Sequence, residues 1–284
     1  MNPPPPQPLL TIFLLTYNHE PYIHDTFEGI LIQKTKYPFV VKILEDCSTD
    51  NTLKICQEYT AKYPDIFILI NQPKNTKGQH CRWALENEIK TPYWCIIEGD
   101  DYWINPYFIE KGLAFFELNT KYNLFCGNTL YKSIDFDRIC ADSYRTGHNI
   151  SIDNYVYLHS SARIYRNIFD FSIYNGNAFD PCNGEIYLYY LYLNRGYTYF
   201  LHEIVSVYRI TNKGVYSSLS PKEQENQYIQ SSFIINDYFN GKYAKHFLKF
   251  LPKNWCKSIC KRIFNAKTTL KFLKKYYKYK GIIK

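Results

Sequence analysis

Between residues 9 and 132 the chain alternates short apolar runs of strand length with stretches of helical pattern, and most of the runs end in a polar cluster. Leu9 to Leu15, Phe39 to Leu44, Ile66 to Ile70 and Tyr93 to Ile97 read as strands, and Leu124 to Lys132 as a further one. A first helical stretch runs from Pro21 toward Gln33, since proline is tolerated in a first turn. A second carries Leu53, Ile55, Cys56 and Tyr59 behind the N-cap candidates Ser48-Thr49-Asp50-Asn51. Gln79 to Ile89 and the stretch from Asn105-Pro106 to Leu118 complete the set. Strands separated by helices of this length predict βαβ units in a mostly parallel sheet covered on both faces. In such sheets ligands bind outside the carboxyl ends of the strands. The polar residues gather there: Thr16-Tyr17-Asn18-His19-Glu20 after the first strand, Glu45-Asp46-Cys47-Ser48 after the second, Glu98-Gly99-Asp100-Asp101 after the fourth.

After residue 133 the pattern blurs. A loop region with Asp135, Asp137 and Asp142 precedes a helix from Gly184 to Asn194 that ends at Arg195-Gly196. Tyr197 to Leu201 and Ile204 to Ile210 read as two strand-like segments, and Lys222 to Phe239 as a helix. No internal repeat is visible.

Charge is unevenly placed. The chain of 284 residues carries 34 Lys+Arg and 26 Asp+Glu, a net of +8. From Lys242 to Lys284 there are 14 basic residues and no acid, which leaves a net of −6 on residues 1–241. Lys249, Lys253, Lys257 and Lys261 recur every four residues, as do Leu251, Trp255, Ile259 and Ile263 two positions away. Helical geometry sets these on neighbouring stripes of a basic amphipathic helix, suited either to an anionic membrane surface or to packing on the body as a solvated helix. Nucleic acid would meet the same charge pattern, but no recognition motif accompanies it. No apolar run approaches the ~18 residues of a membrane span, and the Pro-rich start lacks a signal-peptide pattern. Nine scattered cysteines, an odd number, fit reduced thiols rather than a disulfide framework or a zinc site. The expectation is a soluble, cytoplasmic, globular chain. The 29 Tyr and 19 Phe fit either a sugar-stacking surface or the bias of AT-rich codons.

Two adjacent carboxylates at a strand end, Asp100 and Asp101, with Glu98 two residues earlier, make a site for a hard divalent cation completed by phosphates and water. In isolation the same residues also make a solvated acidic turn. No GxSxG, HExxH, Walker A or GxGxxG run is present, the seven histidines lack a paired ligand spacing, and Cys256 and Cys260 have no partner pair.

TYNHEPYI (16–23), ILEDCSTDNTLKI (43–55) and IIEGDDYW (96–103), in this order, resemble the nucleotide-binding half of the family 2 glycosyltransferases, in the bacterial branch whose motifs run TYNHE, EDCSTD and EGDDYW. The resemblance is strong over residues 9–132 and continues more weakly through GEIYLYYLYLNRG (184–196) and SVYRITNKGVYSS (206–218). It implies an inverting enzyme of GT-A-like, Rossmann-type α/β/α architecture with a C-terminal helical basic tail. The implied organisation is a disordered Pro-rich N-terminus over residues 1–8, a nucleotide-sugar-binding half over 9–132, an acceptor-binding half over 133–241 and the basic tail over 242–284.

The resemblance also implies roles. Thr16, Tyr17 and Glu20 match positions that pack the base and ribose. Asp46 matches the carboxylate that accepts a hydrogen bond from a pyrimidine base; an N-cap of the following helix is its structural alternative. Lys77 and Arg82 lie in the segment near the diphosphate, or are exposed surface charges. Asp100 and Asp101 match the end of the DXD-type motif that holds Mg²⁺ or Mn²⁺, with Glu98 in place of the first Asp. Inverting transfer requires a base for the acceptor hydroxyl. Glu185, at the start of the acceptor-side helix, is the candidate, although Ile186 follows where the family frequently has a second acid. Asp180 is the nearby alternative, and a first-turn Glu favoured by the helix dipole is the structural one. Arg209, in VYRI, pairs with either a carboxylate or a phosphate. The implied partners are a nucleotide sugar, with UDP-sugar the commonest donor, and a glycan or lipid-linked glycan acceptor in bacterial surface polysaccharide or lipooligosaccharide synthesis, with no nucleic acid. The tail adds docking on the inner face of the cell membrane. Two rivals remain: a sugar nucleotidyltransferase, which would be expected to open with a Gly-rich loop, and a non-catalytic glycan-binding or scaffold protein on the same fold.

Overall fold

The computed structural model describes residues 7–133, 137–139, 147–151, 156–170 and 184–211, with scattered positions between 219 and 242. The basic tail beyond Lys242, Asp180 and the segment 212–218 lie outside the described residues, as does most of the helix expected over 222–239. The chain divides into two compact units, one of Met1–Tyr174 with Leu191–Thr211, the other of Asn175–Tyr190 with Asn212–Lys284.

The first unit is built on a mixed sheet. Four parallel strands, β1 (Leu10–Thr16), β2 (Phe39–Glu45), β3 (Phe67–Asn71) and β4 (Tyr93–Glu98), alternate with helices α1 (Ile23–Leu31), α2 (Thr52–Lys62) and α3 (Gln79–Asn87). Their order is β3-β2-β1-β4, the doubly wound pattern that the apolar runs predict. After β4 come a two-residue strand β5 (Tyr102–Trp103), helix α4 (Phe108–Leu118), β6 (Tyr122–Lys132) and the short β7 (Asp137–Ile139) and β8 (Asn149–Ile150). A single turn of 3₁₀ helix, η1 (Ser160–Ala162), leads into β9 (Arg163–Arg166); helix α5 (Gly184–Arg195) and β10 (Tyr197–Arg209) follow.

Sequence expectation and structure part at several places, among them the short strands β5 and β8, which no apolar run announces, and β7, which pairs with β6 inside the region expected as a loop with Asp135, Asp137 and Asp142. β9 runs antiparallel between β4 and β6, so the parallel sheet is interrupted where no strand was expected. The two segments expected over 197–210 form one strand, β10, whose pairing with β6 shifts register between Phe200 and Ile204 instead of breaking. α4 begins at Phe108 rather than at Asn105, because the Asn105 side chain accepts the Tyr107 N–H in a turn.

Burial explains much of the aromatic content. Phe27 stacks on Tyr59 at 4.0 Å between ring centroids and Trp94 on Tyr165 at 4.2 Å. Trp94, Trp103, Tyr165 and Tyr192 are fully buried in the first unit, and Tyr187, Tyr189 and Tyr190 are buried as well. Trp103 donates its indole N–H to the Ser161 carbonyl at 2.6 Å, which joins β5 to η1. Gly29 lets α1 approach this point, since a Cβ there would lie 2.7 Å from the backbone of Trp103. Cys47, Cys56, Cys81, Cys95 and Cys126 are free thiols. Among the described residues no helix is long and apolar enough to cross a membrane.

Candidate active site

The parallel register brings four strand ends together. Thr16 pairs with Glu45, Glu45 with Asn71, and Leu15 with Glu98, so β1, β2, β3 and β4 end at one level. The polar clusters that follow them are tied to one another. Glu45, fully buried, accepts the N–H groups of Cys47 and Ser48 at 3.0 and 2.8 Å, which shapes the turn in which Cys47 adopts a φ of 62°. Asn18, at φ 54°, accepts the Thr49 N–H and donates its own to the Ser48 hydroxyl. The His19 N–H is donated to the Thr52 hydroxyl at 2.8 Å and the Glu20 N–H to Asp50. Backbone groups left unpaired at strand ends are thus satisfied by side chains of the neighbouring turn.

Asp46 is placed by this scaffold but does not cap α2, whose N-cap position is Asn51; Asp50, one residue earlier, accepts the Thr52 N–H at 2.9 Å. The Asp46 carboxylate instead reaches across to the turn before α3. Its Oδ1 accepts from the Thr76 N–H (2.8 Å) and hydroxyl (2.7 Å), and its Oδ2 takes a long contact of 3.4 Å from the Gly78 N–H. A carboxylate oxygen has two lone-pair positions, so Oδ2 retains acceptor capacity. Beside this turn lies a cleft of about 440 Å³ lined by Gln72, Thr76, Gln79, His80 and Trp83. His80 lies 2.8 Å from the Gln72 amide nitrogen, and burial lowers its pKa below the ordinary value against the opposing charges of Asp46 and Glu45.

The acidic turn after β4 is held from two sides. From α1, the Thr26 hydroxyl donates to the carbonyls of Gly99 (3.0 Å) and Asp101 (2.6 Å). From the end of β10, the Arg209 N–H is donated to Asp101 Oδ1 at 3.2 Å. Glu98 accepts the Ser160 hydroxyl of η1. Asp100 keeps its carboxylate at the β1 side, with Oδ1 3.9 Å from His19 Nε2. Asp101 is fully buried and faces the other way, its Oδ2 3.7 Å from His159 Nδ1. Burial, and then the charges of Glu98 and Asp100, push the Asp101 carboxyl well above the ordinary carboxylate range; the Arg209 N–H and the Ser161 hydroxyl oppose this. Burial likewise holds His19 below its ordinary value, opposed by Asp100 and Asp50.

These features bear on a divalent cation. Among the described residues no three His, Cys, Asp or Glu side chains come together as a ready-made metal centre. The two carboxylates suit a cation that takes only one or two protein carboxylates and completes its shell with phosphates and water. Asp100, partly open to solvent, is the carboxylate such a cation would meet, while Asp101 Oδ2 is buried behind it without a hydrogen-bond partner.

Of the residues singled out from sequence, Thr16, Asp46, Asp100 and Asp101 meet at the joined strand ends. Tyr17 is 40% exposed beside them. Glu20 spends both carboxylate oxygens on Asn51, at 3.0 and 2.7 Å. Lys77, exposed and at φ 55°, follows the Asp46-bound turn, and Arg82 pairs with Glu86 one helical turn along α3. Glu185 stands in the first turn of α5, in the second unit. Sequence reading missed His19, although it stands in the TYNHE run. It also missed His159, Ser160 and the amide-and-imidazole cleft, which carry no local motif.

A protein-family model described as Glycosyl transferase family 2 matches residues 11–174, more than half of the chain. The dTDP-rhamnosyl transferase RfbG of Shigella flexneri is 31% identical over 94 residues, 32% of this chain and 32% of its own. In general the chain spans about a third of the length of the first curated relatives it matches. Among solved structures, TarS of S. aureus, crystallised with UDP-GlcNAc, aligns with a TM-score of 0.60 at 19% identity, covering 86% of this chain and 76% of that one. The mannosyltransferase PcManGT of Pyrobaculum calidifontis, in complex with GDP-Man and Mn²⁺, aligns with a TM-score of 0.63 at 13% identity, covering 97% and 76%. At these identities the structural likeness concerns the fold.

Proposed function

The chain belongs to glycosyl transferase family 2, and from that premise we propose that it transfers a sugar from a nucleotide sugar to a glycan acceptor with inversion at the anomeric carbon. The observation that carries this reading is the acidic turn Glu98–Asp101, clamped at the carboxyl end of β4 beside the Thr16 and Asp46 strand ends. Strand ends of this kind are where open α/β sheets bind nucleotides.

On this reading Thr16, Tyr17, Glu20, Asp46, Lys77 and Arg82 form the donor side. Asp46 Oδ2 accepts from the base, and Lys77 and Arg82 lie toward the diphosphate. Asp100 and Asp101 hold Mg²⁺ or Mn²⁺, which when bound neutralises charge on the departing diphosphate. Glu185 is the base: its carboxylate takes the proton of the acceptor hydroxyl as that oxygen bonds to the anomeric carbon, and the bond from that carbon to the diphosphate oxygen breaks. The nucleoside diphosphate leaves with the bonding pair, so charge and protons balance. Orientation of the two substrates in line supplies much of the remaining acceleration. Surface polysaccharide or lipooligosaccharide synthesis is the proposed setting, with a UDP-sugar as the first donor to test and GDP- and dTDP-sugars beside it.

The test is a panel of UDP-, GDP- and dTDP-sugars, each with and without Mn²⁺, read by thermal shift and by release of nucleoside diphosphate. At least one donor should stabilise the protein and turn over only when Mn²⁺ is present, and Asp100→Asn should lose both effects. A panel in which no donor does so would remove the enzymatic reading.

A further inference from the structure

We propose that Arg209 is a positioning residue that sets the direction of Asp100; the inference rests on the function proposed above and deepens it. Arg209 is the last residue of β10, and it engages three consecutive residues of the acidic turn. Its guanidinium donates to the Asp100 carbonyl at 2.8 Å, its backbone N–H to Asp101 Oδ1 at 3.2 Å, and its plane lies 4.2 Å from the centre of the Tyr102 ring. The other arm of the guanidinium pairs with Asp25 of α1, and Tyr22 lies 5.5 Å away. One residue therefore bolts the turn to α1, while Thr26 holds the same turn through two carbonyls.

Both arms of the fork are used at this site, which matters for what can replace it. A guanidinium presents planar, directional donors and a face for stacking, whereas an ammonium is a point charge on a flexible stem. With the carbonyl of Asp100 held by Arg209 and those of Gly99 and Asp101 by Thr26, the backbone under the Asp100 side chain is fixed while its carboxylate lies toward His19. Without the bolt the Asp100 peptide is held only through its neighbours, and the direction of its carboxylate is less fixed. The guanidinium also ties the Asp100 carbonyl to Asp25 of α1, so the turn stays assembled before a cation arrives.

The test measures Mn²⁺ binding by the electron paramagnetic resonance of the free ion, in the presence of UDP, GDP or dTDP, for the wild-type chain, Arg209→Gln, Arg209→Lys and Asp25→Asn. Loss of an outer-shell partner weakens metal binding by about 10–100-fold, and Arg209→Gln should fall in that range, with amide exchange accelerated over residues 99–102. Arg209→Lys should not restore the affinity, and Asp25→Asn, which cuts one arm only, should give a smaller loss. In donor turnover the KM for Mn²⁺ should rise more than kcat falls. Arg209→Gln with a native circular dichroism spectrum and wild-type Mn²⁺ affinity would overturn the assignment. Should that variant not fold, Asp25→Asn decides, because its side chain is 60% exposed: unchanged affinity there overturns it, a several-fold loss supports it. A wild-type chain that binds no Mn²⁺ with any of the three nucleotides removes the underlying reading, and does so before any variant is compared.

Discussion

At residue 99 only glycine fits, and the reason lies in the side chains around it. A Cβ there would come within 2.6 Å of His19 Nδ1 and 2.8 Å of the Thr16 hydroxyl. Gly99→Ala should therefore cost about 1–3 kcal/mol, the usual penalty for overpacking, and weaken donor binding because the displaced His19 faces Asp100. A variant with unaltered urea midpoint and donor affinity would show that this contact is slack. His80 gives a prediction in pH. Its imidazole is buried and its pKa lies below the unfolded value of 6.5, so the unfolded chain takes up a proton first as pH falls. Stability contributed by His80 is complete above that value and declines as pH drops through it toward the folded pKa, by at most about 1.4 kcal/mol per pH unit. Denaturation midpoints of His80→Gln measured between pH 8 and 5 should fall less steeply than those of the parent, and parallel curves would contradict the assignment. The acidic turn was legible as residues because two carboxylates at a strand end are unusual. The partners of those carboxylates were not: Arg209 is 108 residues from Asp101, and neither it nor His159 carries a local pattern that names its neighbour.

At the scale of elements, the parallel strands could be read because each is buried on both faces and so appears as an unbroken apolar run. β9, Arg-Ile-Tyr-Arg, could not: four residues with charged ends make a strand only where β4 and β6 offer edges to either side. Sequence reads β10 as two segments because His202-Glu203 interrupts the apolar pattern, whereas the backbone absorbs those residues as a register shift. The turn before α3 is held by its own residues, Thr76 accepting the His80 N–H at 3.0 Å and Asn75 the Lys77 N–H at 2.7 Å, and by Asp46, which accepts from the Thr76 N–H and hydroxyl. Asp46→Ala should thus loosen residues 72–80, seen as faster amide exchange there, and destabilise the fold by about 1–3 kcal/mol through unpaired donors. If exchange in that stretch were unchanged, the link between β2 and α3 would be incidental.

For the whole molecule, charge separation is the feature that sequence states and that the described residues leave to experiment. A body of net −6 and a tail of 14 basic residues predict attraction to an anionic surface that weakens as salt rises. The full chain should sediment with vesicles containing phosphatidylserine at low salt and be released as salt increases, while phosphatidylcholine vesicles leave it in the supernatant. Equal partitioning to both would assign the tail to packing on the body instead. Glu185 belongs to the second compact unit, most of which lies outside the described residues. Mn²⁺ anomalous scattering, from crystals grown with the nucleoside diphosphate that the panel selects, bears most directly on the site. A peak bonded to the Asp100 carboxylate and to the diphosphate is the expected result. Nucleotide bound away from the Asp46 and Asp100 strand ends, or manganese bound with no carboxylate of the Glu98–Asp101 turn, would contradict it.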